Sequence, residues 1–310
     1  MTKNPLYINL HIPKTAGYTL RYHIDKNLKK DEQLLLDYEF LGLNLFKPPL
    51  DYEVYRNKAY KLIKSLTREK RDNLKIIHGH TVPYGIHELF DREVRYFTFV
   101  RNPIDRTISI YNHLFNLNKK EGGIKRMQPY YEKYFLIKGN EPSFENWLRN
   151  KYVKDTYYTH FSTVGYLKEF GYLKGYSQNI KSINDALSKF YFIGLTEYFN
   201  EESLYFFKEL GMHKYFIDQN ISQESLKTTK NSKLYENTLS RNLVDNTLFN
   251  KSVQLNHVFK QDHPEYFLAI RKKTLEKKLL LPFTQAIYAP RQTILRFLKF
   301  AFGKEPLKYK

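Results

Sequence analysis

Three short stretches carry residues whose types and spacing could do chemistry. The first, His11-Ile12-Pro13-Lys14-Thr15-Ala16-Gly17-Tyr18-Thr19-Leu20, joins an alternating apolar run to a helical pattern. A strand-turn-helix junction presents unpaired backbone NH groups and the positive end of a helix dipole, which makes it a natural anion site. Ala16 and Gly17 are small enough to let the backbone approach an anion, Lys14 brings a mobile positive charge, and Thr15 and Thr19 add hydroxyls. This is not the P-loop of nucleoside triphosphatases, in which Gly precedes the Lys-Ser/Thr pair; here Lys14 comes first.

The second stretch runs from Phe99 through Arg101-Asn102-Pro103 to Ser109. Arg101 falls at the carboxyl end of an apolar run, and Pro103 suits a first helical turn, where its missing NH is no loss. Helical spacing puts Ser109 on the face of Asp105 and near the line of Arg106, within reach of an anion held by Arg101. A guanidinium and a hydroxyl suit a phosphate monoester. The third stretch is His78-Gly79-His80, closing the run Leu74 to Ile77. On residue type alone, each of these histidines reads as a hydrogen-bonded structural residue. The alternation of the first run places His11 opposite Leu10 and Ile12, as a sheet-face residue.

The elements that position these residues follow from the apolar pattern. Leu6, Ile8, Leu10 and Ile12 alternate as in a strand, and Leu20, Ile24 and Leu28 recur at helical spacing. Val94 to Val100 reads as a strand followed by a helix through Ile104, Ile108, Tyr111 and Phe115; Phe190 to Leu195 reads as a strand followed by a helix from Glu201 to Leu210, capped by Gly211. Glu236 to Phe267 looks helical. Strands alternating with helices predict an α/β fold with a mainly parallel central sheet flanked by helices, and ligands then sit where strands end and helices begin. Residues 116–180, rich in Tyr, Lys and Gly with weak periodicity, read as a helical and loop insertion lining an acceptor cleft. One domain over 1–278 is expected, then a basic, apolar tail over 279–310 broken by Pro282 and Pro290. Too charged to span a bilayer, the tail is expected either to lie on a membrane surface or partner, or to pack as a helix on its own domain.

Composition bounds the rest. The 310 residues are 42% hydrophobic and 16% aromatic, enough for a core, which excludes wholesale disorder. Zero cysteines exclude a disulfide scaffold, a Cys-based zinc or iron-sulfur site and a thiol nucleophile. A strand-like run begins directly after Pro5, which leaves no room for a signal peptide and gives the expectation of a cytoplasmic, membrane-peripheral protein. The net charge of +19 points to an anionic partner or to an evenly basic surface.

Taken together and in this order, the first two stretches resemble the 5'-phosphosulfate loop and the 3'-phosphate motif of the sulfotransferases that use 3'-phosphoadenosine 5'-phosphosulfate (PAPS). The chain is most similar to the carbohydrate sulfotransferases of the heparan sulfate 2-O-sulfotransferase type, because Ile76-Ile77-His78-Gly79-His80 matches their catalytic-base segment. Phe192 to Glu197 and Leu226-Lys227-Thr228-Thr229 are looser matches, the second to a loop that closes over the nucleotide. The resemblance runs in order from about Leu6 to Phe267, with motif identity at few positions. The family usually has Ser or Thr at Tyr18, a change that would keep a backbone NH contact there.

The resemblance implies a P-loop-like sulfotransferase fold and carbohydrate sulfation without a metal, with PAPS as donor and adenosine 3',5'-bisphosphate as product. It assigns the general base to His80, with His78 second, and the leaving-group side of the sulfuryl to Lys14. Lys14, Thr15, Ala16, Gly17, Tyr18 and Thr19 would cradle the 5'-phosphate, Arg101 and Ser109 the 3'-phosphate, and Lys227 and Thr228 the nucleotide. A glycan acceptor would meet Lys125, Arg126, Lys151 and Lys154, unless these only coat the surface. The alternatives are a small-molecule or lipid-linked acceptor, a nucleotide kinase, for which no Walker-type loop is found, and a non-enzymatic basic RNA- or membrane-binding protein. No nucleic-acid motif is present, so no nucleic-acid partner is expected.

Overall fold

The computed structural model describes residues 4–43, 51–119, 144, 162–174, 180–216 and 243–302. Within them, five parallel strands form one sheet in the order β2-β3-β1-β4-β5. These are β1 (Leu6–Leu10), β2 (Gln33–Leu35), β3 (Ile76–Gly79), β4 (Val94–Val100) and β5 (Phe192–Leu195). Parallel neighbours need crossovers, which here include α1 (Gly17–Asn27) after β1, α2 (Tyr52–Ser65) and α3 (Arg68–Asn73) before β3, and α4 (Pro103–Lys119) after β4.

All five residues of β1 are buried, although its sequence alternates. Leu6, Ile8 and Leu10 face one core with Tyr55, Ile63, Ile77 and Val100, whereas Tyr7 faces a second core with Leu20, Ile24, Phe97 and Phe206. Helices cover both faces of a central parallel strand, so the period-2 signal divides two cores and not core from solvent. In the second core Phe97 stacks on Phe206 of α7 (Phe199–Glu209), with centroids 3.8 Å apart. Fully burying one such ring contributes about 1.5–3 kcal/mol.

The expected strands are present, and β4 has the expected bounds. The three half-buried residues of edge strand β2 were not anticipated. The helix expected from Glu201 to Leu210 is α7, and Gly211 follows it at φ 67, the left-handed position of a helix stop. Of the expected insertion, residues 120–143, 145–161 and 175–179 lie outside the described residues. Its described part includes α5 (Thr163–Glu169), and Tyr166, Phe170 and Tyr172 are buried core residues. After α6 (Ile180–Leu187), the chain passes through β5 and α7 to α8 (Leu243–Asp262). The last helix, α9, runs over Pro264–Phe302 without the expected break at Pro282 or Pro290. Each proline removes one NH from the helical ladder, but the bonds on either side continue it. Residue 279, where the tail was expected to begin, lies within α9.

Candidate active site

The carboxyl ends of β1, β3 and β4, the three central strands, meet at one edge of the sheet, with β1 in the middle. The register pairs Leu10 with Gly79 on one side and with Thr98 on the other. The three stretches singled out by sequence therefore leave the sheet side by side.

The loop after β1 is strained in a specific way. Lys14 and Ala16 are the non-glycine residues with positive φ among the described residues, at 69° and 61°. A left-handed conformation costs of order 1–3 kcal/mol at a non-glycine residue, and alternating backbone hands turn successive NH groups towards a common point. Ala16 is the N-cap of α1 and makes no side-chain capping bond, and the first turn contains no acidic residue. The first-turn NH groups of Gly17 and Tyr18 thus face a site that lacks any negative side chain of α1. The Thr15 hydroxyl donates to Ile12 O at 2.8 Å and closes the turn, while Thr19 is buried. Tyr18 is exposed.

Lys14 is pushed down to about 8 by burial and by the Arg101 charge beside it. Arg101 Nη1 donates to Lys14 O at 3.4 Å, which places the two cations against one another across β1 and β4. Among the described residues no carboxylate forms an ion pair with either, and two adjacent cations are held together at a cost that an anion would relieve. Beneath the loop, buried Arg106 donates from Nε to Pro13 O at 3.0 Å. Asn102 caps α4 by accepting from Ile104 N, and its own NH donates to Glu197 Oε1 at 2.8 Å. Thr196 donates to Val100 O at 2.9 Å. The loosely matched Phe192 to Glu197 segment therefore holds the Arg101 segment in place. Ser109 is half-buried on α4.

On the other side of β1, His80 Nδ1 lies 2.9 Å from His11 O. A carbonyl only accepts, so Nδ1 carries the proton and Nε2 of the neutral ring carries the lone pair. His80 N donates to Asp37 Oδ1 at 2.9 Å, and Asp37 Oδ2 accepts from Arg21 of α1 at 2.8 Å. The Tyr166 hydroxyl donates to His80 O. His78 is different: it is buried, its Nε2 lies 3.2 Å from Gln33 Oε1, and burial followed by the charge of Arg21 holds its pKa down at about 3.

His11 corrects the sequence reading. The strand ends at Leu10, and the turn brings the His11 ring over His80, stacked with centroids 4.0 Å apart and planes 26° apart. A Cβ added at Gly17 would lie 1.9 Å from His11 Cδ2, so the ring is wedged between the anion loop and His80. Burial first, then the neighbouring His80, keeps the pKa of His11 well below the usual value. Sequence reasoning also missed Asp37 and His113. His113 follows Ser109 by one turn of α4, and its pKa is pushed down to about 4 by desolvation and then by Lys14 and His80. Extending the Asp105–Ser109 face by four more residues would have found it. Lys227 and Thr228 lie outside the described residues, as do Lys125, Arg126, Lys151 and Lys154. Among the described residues no group of three or more His, Cys, Asp or Glu could hold a metal ion.

A parallel α/β sheet whose central strand ends bring together an uncapped helix N-terminus, two neighbouring cations and a histidine has the layout of a group-transfer site. The family model of the sulfotransferase family matches residues 2–272. The chain belongs to that family and is an enzyme that transfers sulfate, and the family implies PAPS as the sulfuryl donor. No curated protein matches the chain significantly.

Proposed function

We propose that this sulfotransferase moves the sulfuryl group of PAPS to a hydroxyl of a glycan or polysaccharide, with His80 as general base. The convergence of Lys14, Arg101 and His80 on three adjacent strand ends carries this reading.

When bound, PAPS supplies an activated sulfuryl group and leaves as adenosine 3',5'-bisphosphate. The residues present fit such a group, because α1 begins without a side-chain cap or an acidic first turn, beside two crowded cations. In this reading the NH groups of residues 15–18 hold the 5'-phosphate beside Thr19, whose own NH donates to Ala16 O, and the Lys14 ammonium stabilises the charge that grows on the leaving oxygen. Arg101 and Ser109 hold the 3'-phosphate, the guanidinium through paired hydrogen bonds. Lys227 and Thr228 are assigned to the loop over the nucleotide on the resemblance alone.

The His80 ring accepts the proton of the acceptor hydroxyl at Nε2, the nitrogen left basic by the bond from Nδ1 to His11 O. His78 is less suited, since its Nε2 is engaged by Gln33 and the ring is buried. Two features support the glycan acceptor: the likeness of the His78-Gly79-His80 segment to the heparan sulfate 2-O type, and the net charge of +19, which favours an acidic substrate.

The test has two parts. Arg101→Ala should weaken adenosine 3',5'-bisphosphate binding by about tenfold or more while changing 5'-AMP affinity little, as expected for the loss of a charge-assisted bond. Equal affinity of the wild type for the two nucleotides would remove the 3'-phosphate assignment. His80→Ala should abolish turnover and leave bisphosphate binding nearly intact. A mass-shift screen with PAPS against glycans, small alcohols and lipid-linked saccharides identifies the acceptor, and sulfation of small alcohols alone would overturn the glycan reading.

A further inference from the structure

The helix α9 has two apolar sides, one buried and one exposed. Its inner side buries Tyr266, Ala269, Ile270 and Lys273 against the second core and the turn after α7. Lys273 Nζ donates to Met212 O at 3.0 Å, and further along the Thr284 hydroxyl donates to Tyr215 O. The outer side carries Leu268, Leu275, Leu279, Phe283 and Ile287, each 56–70% exposed. At 100° per residue these five side chains occupy an arc of about 120° that is centred away from Lys273 and Thr284 and is about 28 Å long. Single exposed apolar residues are ordinary, but a row that recurs every four residues from Leu275 to Ile287 needs an occupant.

We propose that this outer face of α9 docks on an anionic lipid membrane, with the helix lying in the plane of the surface. Charge selects the occupant. Arg271 and Lys278 are exposed along one edge of the stripe, and exposed Lys272 lies within it, between Leu268 and Leu275. The nearby carboxylate Glu276 is engaged on the inner side, 2.9 Å from Lys273 Nζ and 2.5 Å from His213 Nδ1. From Lys277 to Lys304 the sequence has six Lys or Arg and no Asp or Glu. A second copy of the chain would bring one basic border against another, whereas a lipid surface offers acyl chains to the stripe and anionic headgroups to its borders. Among the described residues no helix is long and apolar enough to cross a membrane, so the contact is one of lying on the surface.

The full chain should sediment with phosphatidylcholine vesicles that contain phosphatidylserine, weakly with phosphatidylcholine alone, and less as salt rises. Leu279→Gln with Phe283→Gln should lower the partition coefficient by about tenfold or more, through loss of buried apolar area. Lys272→Glu with Lys278→Glu should lower it similarly on anionic vesicles. Both double variants should keep the thermal midpoint and the bisphosphate affinity of the parent, because the substituted side chains face outward and away from the anion loop. Absence of sedimentation with anionic vesicles, or sedimentation unchanged in both variants, overturns the proposal. So does a dimer in sedimentation equilibrium that the two apolar substitutions dissolve while vesicles have no effect, which would assign the face to self-pairing. None of these outcomes bears on sulfuryl transfer, which is read by turnover of PAPS in the absence of lipid.

Discussion

The His11 ring lies flat against the His80 ring, centroids 4.0 Å apart, while the His11 carbonyl takes the hydrogen bond from His80 Nδ1 at 2.9 Å. One residue thus sets both the tautomer and the tilt of the proposed base. Desolvation of the half-buried His11 ring keeps it neutral, so it can lie against a protonated His80 without repelling it.

Removing only the ring separates these two roles. His11→Ala keeps the carbonyl and should lower kcat by about tenfold to a hundredfold with little change in KM for PAPS, as misplacement of a catalytic group does. His11→Phe retains a flat face and should recover part of the loss, and the acidic limb of the kcat pH profile should shift in His11→Ala. Steady-state kinetics over pH checks this; unchanged kcat in His11→Ala would reduce the stack to a packing contact.

Lys14 predicts how nucleotide binding depends on pH. Its pKa of about 8 in the free protein, set by burial and then by Arg101, should rise when an anion arrives. Binding is then coupled to uptake of a proton, so affinity for adenosine 3',5'-bisphosphate is full below about pH 8 and falls above it, by up to tenfold per pH unit. Calorimetry in buffers of different ionisation enthalpy should detect the proton taken up near pH 8. In Lys14→Met the uptake should vanish.

His11 and His78 predict acid sensitivity of the fold. Both have folded pKa values below the unfolded value of about 6.5, His78 at about 3, and burial is the largest cause for each. Their stabilising contribution is complete above about pH 6.5 and is lost as pH falls, because the unfolded chain binds protons that the folded chain refuses. Each should contribute a slope of about 1.4 kcal/mol per pH unit. Urea midpoints between pH 7.5 and 5 should fall accordingly, and His78→Gln should remove about half of the slope.

Two glycines should respond differently to a methyl group. Gly79 has φ 145, and a Cβ there would sit 2.1 Å from Leu36 O. Backbone against backbone cannot yield, so Gly79→Ala should cost about 3 kcal/mol, read as a lower thermal midpoint. At Gly17 the obstacle is the His11 ring, 1.9 Å away, which can swing aside. Gly17→Ala should therefore lower kcat much as His11→Ala does, with a smaller loss of stability.

Apolar runs long enough to be covered on both faces were legible in the sequence, which is why β1, β4 and their loops were found. β2 was not, because three half-buried residues at the sheet edge carry no periodicity to read. The small residues Ala16 and Gly17 beside Lys14 marked the loop as a candidate anion site, but the left-handed turns at Lys14 and Ala16 that shape it have no signature in residue type. His11 was misread by carrying the strand's alternation one residue past its end at Leu10, where the turn redirects the side chain. Asp37 escaped notice because it joins the site across β2 and β3, through bonds to His80 and Arg21.

The pairing of β1 with both β3 and β4 also has a consequence for how the chain acquires activity. His11, Lys14, Asp37, His80 and Arg101 all precede β5 and the last helix in the sequence, so they emerge from synthesis before those elements. The Asn102 NH, however, is secured by Glu197, and the second core is closed by Tyr266 and Ile270 of the last helix. An early intermediate can therefore bring the reactive groups near one another, yet their final spacing must wait for contacts of long sequence separation, which form slowly. Gain of bisphosphate affinity during refolding should be among the last events.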